Sequence, residues 1–224
     1  MSKALEELRQ FDTCAIANAI ERFGVRLKNE GFTRPGLQCF TGDYPLALGH
    51  AVTCRVRTAN PPLTGQSYYE RTDWWDLIDS VDAPRIVLIE DMDGEEGLGS
   101  FVGEVHAAIL AAMKCAAVVT NGAVRDLPAV REMEFPLYAR AATVSHAYAH
   151  MVDHGEPVSL FGLEISCGEL VAADCHGLLK IPMEIVGELP AVAKEIAMRE
   201  RRIIDLCRSS SFSLERLKAA VRGM

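Results

Sequence analysis

The stretch from Arg85 to Asp126 constrains the fold most. It reads RIVLIED, then after a Gly-rich gap GEVHAAILAAMK, then CAAVVTNGAVRD: a continuous apolar run, an Ala-rich helical pattern and a second apolar run. A short run that is apolar at every position, not at alternate ones, belongs to a strand buried on both faces. A helix between two such runs makes them parallel strands of one sheet joined by a right-handed crossover. In sheets of this kind ligands collect outside the carboxyl ends of the strands. Glu90-Asp91 and Arg125-Asp126 both fall at such ends.

The flanking sequence supplies the other elements. Leu5 to Phe23 carries apolar residues at helical spacing and stops at Gly24, which predicts one amphipathic opening helix. Residues 24–50 read as loop with room for one short strand. AVTCRVRTAN alternates apolar and polar residues before Pro61-Pro62, the pattern of a half-buried strand. A helix is expected around Tyr69 to Ile78. From Pro136 to Pro182 the runs FPLYARA, PVSLFGLEI and ELVAADCHGLLKIP, separated by Gly, Pro and Asp, predict a small, compact β layer. Helix returns from Met183 to about Cys207, restarted at Pro190, and SLERLKAAVR forms a last helix. Its capping box at Ser213 is weak, because Arg216 stands where an acid is favoured. No repeat or composition shift divides the chain. Residues 1–224 therefore read as one α/β domain with a compact mixed β core at about 10–182, flanked by helices over 183–224.

Composition narrows the function classes. A formal net charge of -8 gives no basic field for nucleic acid. Hydrophobic residues reach 49% of the chain, yet no apolar stretch approaches the roughly 18 to 20 residues of a membrane span. The start MSKALEELRQ is too charged for a signal peptide, so a cytoplasmic protein is expected. Seven cysteines without any C-x-x-C indicate neither a disulfide framework nor a zinc ribbon. No G-x-S-x-G and no legible Cys-His pairing point to a nucleophile.

Three glycines precede the helix in GLGSFVGEVHAAILAAMK, and Gly103 stands at its mouth, where first-turn amides can face an anion. The crossover should return Arg125 and Asp126 beside that mouth. An arginine suits bidentate recognition of a carboxylate, and an aspartate with few protein neighbours suits a hydrated divalent ion. On spacing alone, a solvated Arg-Asp pair is an equal reading. His146, His150 and His154 recur at helical spacing and predict an exposed or subunit-contacting helix more than a metal stripe. His106 lies next to the helix mouth, and His176 in ADCHG matches a structural turn. DMDGEEG has alternate carboxylates but lacks the later ligands of a calcium loop; an acidic flap is the blander reading. Trp74, Trp75, Tyr68 and Tyr69 read as core packing before interface or pocket wall.

These residues carry a resemblance. TCAIANAIERFG, GEVHAAI, AAVVTNGAVRD, PLYARA and ELVAADCHGLLKIP resemble, in order and spacing over most of residues 10–205, the RraA-like superfamily. It contains the regulator of ribonuclease activity A and class II pyruvate aldolases acting on 4-hydroxy-4-methyl-2-oxoglutarate and 4-carboxy-4-hydroxy-2-oxoadipate. The resemblance implies the swivelling β/β/α fold, assembled as a homotrimer or homohexamer. It implies that Gly103, Glu104, Val105, His106 and Arg125 bind the pyruvyl end of a small 2-oxo acid and that Asp126 ligates Mg2+ or Mn2+. Glu104, 21 positions before Arg125, would with a metal-linked water relay the proton taken from the 4-hydroxyl group, and Arg125 would add fixed positive charge at the developing oxyanion. Glu200 of the partner subunit would reach the metal's waters, with Glu195 as the fallback. Relatives usually carry aspartate at position 104 and often at position 18, where this chain has Glu104 and Asn18. The implied activity is retro-aldol cleavage of a 4-hydroxy-2-oxo dicarboxylate to pyruvate, with oxaloacetate decarboxylation through the same enolate. The alternative is a non-catalytic regulator of ribonuclease activity that acts by binding protein.

Overall fold

The computed structural model describes residues 3–62, 71–94 and 98–222. Its centre is strand β2 (Ala47–Arg57) beside β3 (Arg85–Asp91), β5 (Cys115–Thr120) and β7 (Leu137–Ala139), with β1 (Gln38–Cys39) at one edge. The pairs β2-β3, β3-β5 and β5-β7 are parallel, as the crossover pattern requires. On the other side of β2, β12 (Leu170–Asp174) and β13 (Gly177–Lys180) add an antiparallel hairpin, and β9 (His150–His154) also pairs with β2. The expected compact β layer of residues 136–182 is thus largely an extension of the main sheet. The hairpin of β10 (Val158–Leu160) and β11 (Leu163–Ile165) stands apart, laid over one face, and Ala141–Ala142 joins a separate small sheet.

Period-two geometry explains why the central strands are apolar throughout. Val87, Ile89 and Val118 point into one cluster with Trp74 and Ile78 of α3 (Asp73–Ser80) and Leu110 of α4 (Glu104–Ala112). Ile86, Leu88, Ala117 and Val119 point the other way, onto Val158, Leu160 and Ile165 of the hairpin. Both faces are covered, and the half-buried strand expected from AVTCRVRTAN is corrected. All of Ala51, Val52, Thr53 and Cys54 are buried, because β2 has neighbours on both edges and packing on both faces. Trp74 is 1% exposed, which settles it as core; Tyr68 and Tyr69 lie outside the described residues.

A third cluster forms where α1 (Lys3–Leu8), α2 (Thr13–Glu21) and α6 (Leu189–Arg208) cover Leu48, Leu170, Ala172 and Leu179. The single opening helix is corrected to two. Asp12 takes an extended conformation and its Oδ1 accepts from Ala15 N–H at 2.7 Å, so it caps α2 and ends any continuity with α1. Pro190 sits in the first turn of α6, where a missing N–H costs nothing. Arg216 N–H donates to Ser213 Oγ at 3.2 Å before α7 (Leu214–Arg222), so the cap forms despite its missing acid. Met198, Ile204, Phe212, Leu214 and Val221 on and between α6 and α7 remain exposed.

Candidate active site at a helix mouth

The site is organised by a second, smaller sheet that the sequence reading did not separate. β4 (Ser100–Val102), β6 (Ala123–Val124) and β8 (Ala141–Ala142) form three very short parallel strands. β5 ends at Thr120; Arg125 and Asp126 instead follow β6, which is a correction to their placement on the long strand. The register Val102↔Val124 puts the next residues side by side, Gly103 beside Arg125, and Arg125 N–H donates to Val102 O at 3.2 Å. Parallel strands leave in the same direction, so the helix mouth and the Arg-Asp pair face one cavity.

Gly103 has φ -134° and ψ -160°, which any residue adopts. Its requirement is space: a Cβ there would collide with Asp126 Oδ2 and crowd Arg125 Nε and Cγ. Asp126 sits at φ 56°, a left-handed conformation that aspartate tolerates better than most residues, and it precedes α5 (Leu127–Glu132). That turn aims its carboxylate back at α4. Asp126 Oδ2 accepts Glu104 N–H at 3.1 Å and lies 3.4 Å from Arg125 Nε. Its Oδ1 and both Arg125 Nη groups take part in no hydrogen bond among the described residues. The two side chains are 34% and 39% exposed, accessible to a ligand yet partly desolvated.

The cavity has a volume of about 200 Å³ and is lined by Gly103, Glu104, Val105, His106, Arg125 and Asp126, together with Ser100, Phe101, His146 and Ala149. That is below the roughly 300 to 1,000 Å³ of pockets for drug-sized ligands and suits a small acid. The first intrahelical bond runs from Ala107 N–H to Gly103 O, so the amides of Val105 and His106 precede the ladder. Glu104 N–H is engaged by Asp126, so one amide of the first turn is already used within the chain. His106 is buried, its Nδ1 2.6 Å from Phe101 O, which makes Nδ1 the protonated nitrogen. Burial pushes its pKa down to about 3, against that hydrogen bond, so the ring is neutral near pH 7.

The sequence-predicted residues therefore meet, apart from Glu200. Within one protomer Glu200 lines a different cleft with Asn18, Glu21, Arg22 and Arg199, and Glu195 is paired to Arg199. The histidine helix is corrected. His150 and His154 lie on strand β9 and His146 precedes it, because β9 extends the sheet beside β2 and tertiary pairing overrides the spacing. His154 Nε2 bonds Asp73 at 3.0 Å, and only His146 reaches the cavity. Phe101 and Ala149 were missed altogether: strands of three residues show no period, and nothing local marks Ala149. The other acidic pair is spent on structure. Glu90 Oε2 accepts Ser159 N–H at 3.0 Å, and Asp91 takes bonds from Thr58 Oγ1 at 2.9 Å and Asp93 N–H at 3.0 Å. Asp93 accepts from Thr58 N–H, Ala59 N–H and Arg57, which makes the described part of DMDGEEG a turn hub; residues 95–97 lie outside the described residues.

Residues 13–179 match the family model RraA-like, Aldolase/RraA. An uncharacterized protein of Methanocaldococcus jannaschii is 24% identical over 191 residues, 83% of this chain and 86% of that one. A protein of Halalkalibacterium halodurans named putative 4-hydroxy-4-methyl-2-oxoglutarate aldolase is 26% identical over 101 residues, 45% of this chain and 48% of that one. Among solved structures, a Streptomyces coelicolor protein described as an unusual member of the RNase ES inhibitor RraA family superposes with a TM-score of 0.71 at 19% identity, covering 90% of this chain and 95% of that one.

Proposed function

The chain belongs to the RraA-like family, which holds both aldolases and ribonuclease inhibitors, and from that premise we propose that it is a divalent-metal-dependent lyase. Its substrate would be a 4-hydroxy-2-oxo dicarboxylate cleaved to pyruvate, with oxaloacetate decarboxylation as a second activity. The observation that carries this reading is the register of β4 against β6, which sets the mouth of α4, a guanidinium whose Nη groups have no partner among the described residues and a carboxylate oxygen without a partner among the described residues around one small cavity.

The fit of a cation is supported by the donor set. Asp126 Oδ1 has no partner among the described residues, and Gly103 supplies the space that a Cβ would fill. Asp126 would hold Mg2+ or Mn2+, hard ions that accept one protein carboxylate and several waters, with Glu200 of the partner subunit reaching those waters. When bound, the ion supplies positive charge against the substrate's 2-oxo oxygen. Arg125 would bind the substrate carboxylate and add fixed charge beside the enolate oxygen. The amides of Val105 and His106 would orient the same end of the molecule. Glu104, whose carboxylate has no protein partner among the described residues, would take the 4-hydroxyl proton as the bond between C3 and C4 breaks. The neutral His106 ring and Phe101 would form the wall that excludes water.

Assembly as a homotrimer or homohexamer is part of the proposal, supported by the exposed apolar residues of α6 and α7. The test is direct. Purified protein with Mg2+ or Mn2+ should release pyruvate from oxaloacetate or 4-hydroxy-4-methyl-2-oxoglutarate. Absence of turnover with any such acid, together with recovery of a ribonuclease in a pull-down, would replace the enzyme with the regulator.

A further inference from the structure

A second cluster of metal-ligating side chains lies in the turn between β12 and β13. Asp174 closes β12, Cys175 and His176 make the turn, and Gly177 opens β13 with φ 139°. Among the described residues this trio is where carboxylate, thiol and imidazole atoms come within 4.8 Å of one another. His176 Nδ1 is 3.1 Å from Asp174 Oδ1 and 3.6 Å from Cys175 Sγ.

We propose that Asp174, Cys175 and His176 bind a borderline-soft divalent cation, zinc in particular. The distances argue for it. Zinc held tetrahedrally at about 2.3 Å from sulfur and about 2.05 Å from nitrogen separates those two atoms by roughly 3.5 Å, and separates nitrogen from a carboxylate oxygen by roughly 3.4 Å. The nitrogen-sulfur separation of 3.6 Å is already that edge, and the nitrogen-oxygen separation of 3.1 Å is close to it. Hydrogen bonding accounts for the 3.1 Å contact without a cation, through a proton on Nδ1; a cation would take that proton's place.

The anchor is rigid. Asp174 is 5% exposed; its Oδ2 accepts Thr13 N–H at 2.7 Å, and its Oδ1 accepts the Thr13 hydroxyl at 2.8 Å and His176 N–H at 2.9 Å. These bonds orient the carboxylate as outer partners orient metal ligands. Cys175 and His176 are exposed, so their side chains can close the remaining gap without disturbing packing. His176 also borders a cavity of about 290 Å³ with Cys14, Asn18, Glu21 and Lys28, which leaves room beside the imidazole for a further ligand. A thiolate and an imidazole select zinc or cobalt over magnesium. This chemistry is distinct from the oxygen-lined mouth at Asp126.

Titration of the reduced full-length protein with Co2+ provides the readout, since only a thiolate ligand gives a sulfur-to-cobalt charge-transfer band. One equivalent per protomer should develop that band, and Zn2+ should displace it. Cys175→Ser should abolish the band, and His176→Ala should weaken binding at least about tenfold. Both side chains are exposed, so both variants should fold; Asp174→Ala is avoided because it also removes the buried acceptor of Thr13 N–H and of the Thr13 hydroxyl at the start of α2. Asp126→Ala and Cys207→Ser should leave the band unchanged. A protein that shows no charge-transfer band, or whose band survives Cys175→Ser, overturns the proposal.

Discussion

Asp91 and Asp126 stand in matching places and have opposite fates. Each lies at the carboxyl end of a parallel strand, Asp91 as the last residue of β3 and Asp126 two residues beyond β6, where open α/β sheets place their ligands. Asp91 is 2% exposed and satisfied by Thr58 and Asp93, while Asn121 bonds its backbone on both sides, at 2.7 and 3.1 Å. Asp126 is 39% exposed at the side chain and keeps an oxygen without a partner among the described residues. Position at a strand end is therefore not what makes a candidate site. What distinguishes the two mouths is remaining bonding capacity beside open volume: the cleft at Asp91 offers about 10 Å³, the cavity at Asp126 about 200 Å³.

The comparison breaks most sharply at Asp126. Asp126→Ala should lower metal-dependent pyruvate release by about a thousandfold or more, as loss of a catalytic ion's ligand does, while the melting temperature barely moves. A variant that keeps full turnover would remove Asp126 from the metal site. Gly103→Ala comes next. Its methyl group collides with the Asp126 carboxylate and would displace it by something near 1 Å, a shift worth roughly a hundredfold in rate. Because the backbone at Gly103 is extended, any loss must come from that collision. Steady-state kinetics on a variant with unaltered circular dichroism checks it.

The legible part of the site was the part with period. β3, α4 and β5 carry long apolar patterns, and their order alone implied parallel strands with Arg125-Asp126 brought near Gly103. The sheet that actually does this, β4-β6-β8, has strands of three, two and two residues, too short for any alternation to register. The expectation was right about the meeting and wrong about the strand. Helical spacing misled for His146, His150 and His154: only the last two lie on β9, and pairing with β2, with a register shift between Met151 and Asp153, decided their placement. The break between α1 and α2 was visible in principle: Asp12 stands before an apolar run as an N-cap does, but the apolar periodicity across Leu8 to Ile16 outweighed it. Glu200 is a different matter. One chain places it away from the cavity, so whether it completes the site depends on a second copy that sequence order does not encode.

The other half of the comparison is a stability test. Asp91→Ala leaves Thr58 Oγ1 and Asp93 N–H without their acceptor in a buried turn, so it should cost about 2 to 3 kcal/mol in urea unfolding. Its effect on kcat of the folded fraction should be small. A large loss of kcat with stability intact would reverse the roles assigned to the two carboxylates.

The smallest effect concerns His106, which belongs to the cavity wall and to the core at once. Its folded pKa is held near 3 by burial, below an unfolded value of about 6.5. A depressed value means that the unfolded chain takes up the proton first, so the stabilisation present above pH 6.5 falls as the pH is lowered toward 3. The slope is at most about 1.4 kcal/mol per pH unit, or about 2 kcal/mol between pH 6.5 and 5. His106→Gln retains a donor for Phe101 O and cannot titrate, so the difference in stability between the wild type and this variant should shrink as the pH drops across that window. Denaturant midpoints measured at pH 7, 6 and 5 test this. A constant difference would mean that the ring titrates in the folded protein at the same pH as in the unfolded chain, so that below about pH 6.5 the wall beside Arg125 would carry a second cation facing the substrate carboxylate.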